Sequence, residues 1–112
     1  MKANVKYKET TLIENAQVAD GFWLKLTGYM FRKTPHVPGI LFATNSIQTT
    51  FMHFQLDLVF IDKQNRVVKV VRNIKPWRFT PFYFKAKWTL ELPVGHIPAE
   101  LSEGDTLEVT FV

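Results

Sequence analysis

Residues 56–74, LDLVFIDKQNRVVKVVRNI, form two apolar, β-branched runs separated by the four polar residues KQNR. β-Branched side chains are stiff at χ1 and fit a pleated strand better than a helix. A short polar break between two such runs is a hairpin signal. The middle of the chain is therefore committed to antiparallel sheet, and the flanking segments must be read as what that sheet pairs with.

Most of them are also strand-like. NVKYKETTLIENAQVA reads as one or two short strands, and ILFAT, IQTTFMHF and the closing TLEVTFV read as further ones. FKAKWTLEL alternates, with Phe84, Ala86, Trp88, Leu90 and Leu92 on one side and Lys85, Lys87, Thr89 and Glu91 on the other, the pattern of a half-buried strand. That periodicity predicts Phe84 and Trp88 in the core. One segment reads as helix: after Asp20 as N-cap, Phe22, Trp23, Leu24 and Leu26 precede Gly28, which suits the left-handed position that ends helices. TPHVPG and KPWRFTPFY carry Pro35, Pro38, Pro76 and Pro81 and read as loop or edge. PVGHIPAELSEGD adds two turns around a short helical turn at Ala99 to Leu101. The fold class that follows is α+β but mainly β: a small curved sheet or partly closed barrel of about seven or eight short strands, with one short helix packed on it or plugging it.

With 112 residues the chain reads as a single domain spanning 1–112, because division would leave two cores too thin to stand. No cysteine is present, so disulfides, thiolate nucleophiles and cysteine-based metal sites are excluded; a reducing cytoplasm fits. The amino-terminal stretch has no apolar segment of signal-peptide type, and no run reaches the roughly 18 apolar residues of a membrane span. The expectation is a cytoplasmic monomer without a cofactor.

The net charge of +4 is unevenly laid out. Residues 63–88 hold eight of the fourteen Lys and Arg, six aromatics and no acid, whereas residues 89–112 hold five acids and no base. Such polarity marks either a charged face or two strands that pair, basic against acidic.

Four segments carry a family resemblance. KLTGYMFRK, with Gly28, Met30 and Arg32, is similar to an early stretch ending Gly-Leu-Met-x-Arg, with Tyr29 in place of Leu; PGILF resembles a Gly-Met-Leu-Phe strand. NSIQTTFMHFQLDLVFID resembles Ser-Ile-His-Thr-x-x-Met-x-x-Pro-x-Asp-x-x-Phe-x-Asp, and VVKVVRNIKPWR, LELPVG and SEGDTLEV complete the order. Over residues 16–110 the chain resembles the bacterial and archaeal family called domain of unknown function 192. The resemblance implies a compact α+β unit dominated by a curved sheet and brings no established activity. Gln48 stands where the family has His, and Gln55 where it has Pro. Acid–base or metal chemistry at that imidazole would therefore be missing here.

Asp57 is costly among apolar neighbours unless it is paired or hydrogen-bonded, by Arg32 or by backbone N–H groups. Asp62, an odd offset away, faces oppositely and suits an Asx turn at the hairpin. His36, His53 and His96 have no metal-ligand spacing, and no phosphate loop or nucleophile elbow appears. The every-third-residue spacing of the bases does not hold one face of a strand, which leaves the loop carrying Trp77 and Arg78, with Lys85 and Lys87 beyond it. A non-catalytic module that binds a small ligand or a protein partner through Met30, Arg32, Met52, Asp57, Trp77 and Arg78 is the leading expectation. One alternative is an enzyme with Asp57 as acid or base. The other is single-stranded nucleic-acid binding through Arg72, Lys75, Trp77, Arg78, Lys85 and Lys87.

Overall fold

A computed structural model describes residues 1–19, 29 and 33–112. The helix expected over 20–28 lies outside the described residues, as do Met30 and Arg32. Among these residues seven strands form one sheet: β1 Lys2–Tyr7, β2 Thr10–Ala19, β3 Ile40–Phe42, β4 Leu56–Asp62, β5 Val67–Ile74, β6 Ala86–Pro93 and β7 Glu108–Phe111. Their order across the sheet is β5-β4-β6-β3-β2-β1-β7, antiparallel except for the β2–β3 pair. The predicted hairpin is β4–β5, and the amino-terminal segment supplies two strands.

The sheet curls into a half-barrel. Register shifts interrupt β4 against both β5 and β6, and β1 against β2. Each such irregularity bends its strand and adds right-handed twist. Residues 104–107 then draw the outer strands together at one end. Val67 N–H donates to Asp105 O (2.7 Å), Gly104 N–H to Val67 O (2.8 Å) and Leu107 N–H to Asn65 O (2.8 Å).

Both faces of the central strands are buried. The inner face gathers side chains from across the sheet, among them Val5, Ile13, Val18, Leu41, Val59, Ile61, Leu90 and Leu92, beneath Ile97, Leu101 and Leu107. On the outer face Ile40, Phe42, Leu56, Leu58, Phe60 and Ile74 pack against Tyr29, Ile47 and Met52 from the loops. Because β4 is covered on both sides, its sequence is a continuous apolar run rather than an alternation.

Three sequence expectations change here. Phe84 is exposed, because β6 begins only at Ala86 and a bulge opposite Ile61 and Asp62 resets its alternation. Thr89 and Glu91, expected on the solvent side of a half-buried strand, are buried under the outer-face loops. IQTTFMHF is a loop joined to the segment that follows β5 through one isolated bridge, Gln48 to Phe79, and contributes Ile47 and Met52 to the outer core. Trp88 packs against the inner core as its spacing predicts.

Candidate functional site

Asp57 sits at the start of β4, only 3% exposed. Its Oδ1 accepts from the Asn73 N–H (2.8 Å) and its Oδ2 from the Gly95 N–H (3.1 Å). Asn73 has φ 57° and Gly95 φ 101°, so both donors lie at sharp departures from regular strand. A carboxylate accepting from backbone N–H groups ties together the ends of three elements, as the sequence required of a charge among apolar neighbours. Both oxygens are engaged by these backbone donors, and no catalytic role for Asp57 is evident. Met52 is also buried, in the outer core. The surface read from the sequence is thus not assembled by these two residues.

Trp77 and Arg78 lie on a ribbon that follows β5 and is stitched to the 45–52 loop. Thr49, itself buried, is the hub. Its hydroxyl donates to Lys75 O (2.7 Å) and accepts from Arg78 N–H (2.8 Å), its N–H donates to Arg78 O (2.8 Å), and its carbonyl accepts from Trp77 N–H (3.0 Å). Thr80 N–H to Ile47 O and Tyr83 N–H to Asn45 O, both 2.9 Å, extend the seam. Phe51 and Trp77 both have left-handed backbone, φ 61° and 62°, and their rings meet edge to face at 4.8 Å. Bulky residues in that region cost about 1–3 kcal/mol each and persist only where the surroundings enforce them.

Farther along, where β4 ends, the chain forms a concavity. Asp62, Lys63, Gln64, Arg66, Phe84, Lys85, Ala86 and Lys87 line an open groove of about 550 Å³. A second recess of about 400 Å³ toward Val67 and Gly104 shares Asp62, Arg66 and Lys85 with it. The groove exists because β4 pairs on both sides, bringing the hairpin turn from β5 and the start of β6 to the same end of the sheet.

Its electrostatics follow from one turn. Asp62 Oδ1 accepts from the N–H groups of Gln64 and Arg66, each at 2.9 Å, and Oδ2 accepts from Arg66 Nε at 3.2 Å. Burial pushes the Asp62 carboxyl up, but those backbone and guanidinium hydrogen bonds outweigh it and hold the carboxyl below its ordinary range. The acid is consumed by its own turn, so the four bases Lys63, Arg66, Lys85 and Lys87 face a groove with no other negative charge among its lining residues.

Of the bases named from the sequence, Lys85 and Lys87 lie in this groove. Arg72 does not: its guanidinium donates to Ile97 O (3.1 Å) and Pro98 O (2.7 Å), holding the 97–98 segment against β5. Lys75 and Arg78 are exposed at the far end of the ribbon. Lys63 and Arg66 belong to the every-third-residue series set aside in the sequence, and Phe84 was expected in the core rather than in a groove. The KQNR turn is legible, but pairing of β4 with β6 across 23 or more intervening residues leaves no local trace. Among the described residues no group of three His, Cys, Asp or Glu could hold a metal ion. No helix among them is long and apolar enough to cross a membrane.

A curled seven-strand β-sheet with a basic groove at one strand end defines a small, mainly β domain. The chain belongs to the family described as uncharacterized ACR, domain of unknown function 192, whose model matches residues 3–109. A UPF0127 protein from Pyrococcus furiosus is 34% identical over 98 residues, covering 80% of this chain and 82% of the relative. Another, from Thermococcus sibiricus, is 32% identical over 104 residues, 83% of this chain and 66% of its own. Among solved structures, a protein of unknown function from Novosphingobium aromaticivorans superposes with a TM-score of 0.77 at 21% identity, over 96% of this chain and 84% of that one. A protein from Sinorhizobium meliloti described as a candidate transcription regulator gives the same TM-score and identity, over 96% and 92%. At that identity the two structures share the fold alone with this chain.

Proposed function

We propose that this protein is a non-catalytic binding module that takes a small polyvalent anion in the groove between the β4–β5 turn and the start of β6. The observation that carries it is the convergence of Lys63, Arg66, Lys85 and Lys87 on one concavity whose only acid, Asp62, is already satisfied within its own turn. Lysines act as mobile point charges on a phosphate or carboxylate cluster, and Arg66 offers a planar fork. The Arg66 fork is held by Asp62 and Gln64 and so is partly oriented before any ligand arrives. A cytoplasmic setting, rich in phosphorylated metabolites, suits a cysteine-free chain.

The test is a thermal-shift and calorimetric titration with inorganic tripolyphosphate. A ligand at 100 times its dissociation constant adds about 2.7 kcal/mol to stability, a readily measured rise in melting temperature. The rise is expected in the native chain and absent from a Lys63→Ser, Lys85→Ser variant. An equal rise in both, or none in either, refutes the assignment.

A further inference from the structure

We infer that the groove is one end of a longer site for single-stranded nucleic acid, with phosphates held by its bases and nucleobases laid on the aromatic row that leads into it. The inference rests on the anion-binding reading of the groove and extends it to what a small anion leaves unexplained. Between Lys75 and Lys85 the ribbon presents Trp77, Phe79, Phe82 and Phe84 to solvent, at 56, 77, 64 and 86% exposure. Four large exposed rings on one short segment are unusual on a surface that only solvates charge, and exposed apolar surface of this kind marks interaction sites. The segment is not loose chain: its backbone is pinned to Asn45, Ile47 and Thr49 along its length.

The arrangement suits bases better than a protein partner's side chains. The Phe82 and Phe84 rings are nearly parallel, 16° apart in plane, with centroids 6.2 Å apart, and so offer flat faces rather than a pocket. Bases stack on such faces whatever their sequence. Charge agrees: Lys75 and Arg78 stand at one end of the row and Lys63, Arg66, Lys85 and Lys87 at the other, with no acid anywhere in 63–88. From Trp77 to Phe84 an extended backbone spans at most roughly 23 Å at ~3.3 Å per residue, which matches the short end of the ~4–16 nucleotides that comparable small β-domains cover.

The experiment is fluorescence anisotropy with end-labelled oligothymidylate and oligouridylate of about eight nucleotides, alongside the matching duplex, at 50 and 200 mM salt. Single strands are expected to bind, and to weaken about 50-fold between those salts if four phosphates are contacted. Phe79→Ser, Phe82→Ser should lose roughly tenfold to hundredfold in strand affinity while its tripolyphosphate binding and melting temperature stay unchanged, since both rings are exposed and neither lines the groove. Lys63→Ser, Lys85→Ser should lose both ligands. Strand affinity untouched by the phenylalanine changes, duplex binding as tight as single-strand binding, or displacement of the strand by oligoglutamate at equal charge would each overturn the inference while leaving the groove's anion binding intact. The last of these outcomes is the signature of an acidic protein partner. Loss of tripolyphosphate binding in the native chain would instead remove the anion reading beneath it.

Discussion

Glu91 is walled in on a strand that is paired on both sides, opposite Ile40 and Leu58, and is 4% exposed. Burial raises its pKa to about 8, and the neighbouring Tyr29 hydroxyl, which donates to Val37 O at 3.0 Å, is likewise raised by burial and by the charge on Glu91. An acid whose folded pKa exceeds its unfolded value binds its proton more tightly when folded, so it favours the fold while protonated. That contribution is complete below about pH 4.5 and is lost as pH climbs to about 8. The free energy of unfolding should therefore decline across that window, by at most roughly 1.4 kcal/mol per pH unit, with the melting temperature following it, and Glu91→Gln should flatten the decline. An equally steep profile in the variant would contradict the assignment. For Asp57 the expectation is opposite in kind: Asp57→Ala strands the N–H groups of Asn73 and Gly95 and should cost about 2–4 kcal/mol in urea unfolding. At Trp77, removing left-handed strain offsets the lost ring contact with Phe51. Trp77→Gly should accordingly leave stability within about 1 kcal/mol of the native chain, a drop of several kcal/mol showing that the ring is structural after all.

Among elements, the segment crossing the inner core depends on a side chain that looked like a ligand residue. Arg72 reaches from β5 to the carbonyls of Ile97 and Pro98, and Ile97 and Leu101 close over the core beside it. Arg72→Gln should cost about 1.5–3 kcal/mol and speed amide exchange first within 97–107, as hydrogen–deuterium exchange can resolve. What could be read in advance follows the range of each interaction. The β4–β5 hairpin and the Asx turn at Asp62 are set by neighbours within a few residues, and both were legible. The second face of β6 was not, because Glu91 and Thr89 are covered by loops that come from elsewhere in the chain, Thr89 donating to Thr44 O at 2.8 Å. A single-sided alternation is the correct local inference from FKAKWTLEL; only the long-range cover changes it. The same limit explains the groove: each of its bases was visible, but their convergence depends on the pairing of β4 with β6.

At the scale of the whole molecule, β4 serves two cores at once, sending Val59 and Ile61 inward and Leu58 and Phe60 outward. Neither core can open without disturbing the other, so unfolding should be a single transition. Phe60→Ala, expected to cost about 3–5 kcal/mol, should lower the urea midpoint equally by far-ultraviolet and aromatic signals. Noncoincident midpoints would mean the two cores melt separately. The strand order also leaves β5 as an outer strand, with Lys69 and Arg72 along it. A second molecule trying to extend the sheet there would have to dehydrate a lysine already leaning toward Glu103 and displace a guanidinium gripping its own chain. The sheet thus carries its own terminator: polymerisation by strand addition is refused at the margin where a flat, uncharged strand would invite it.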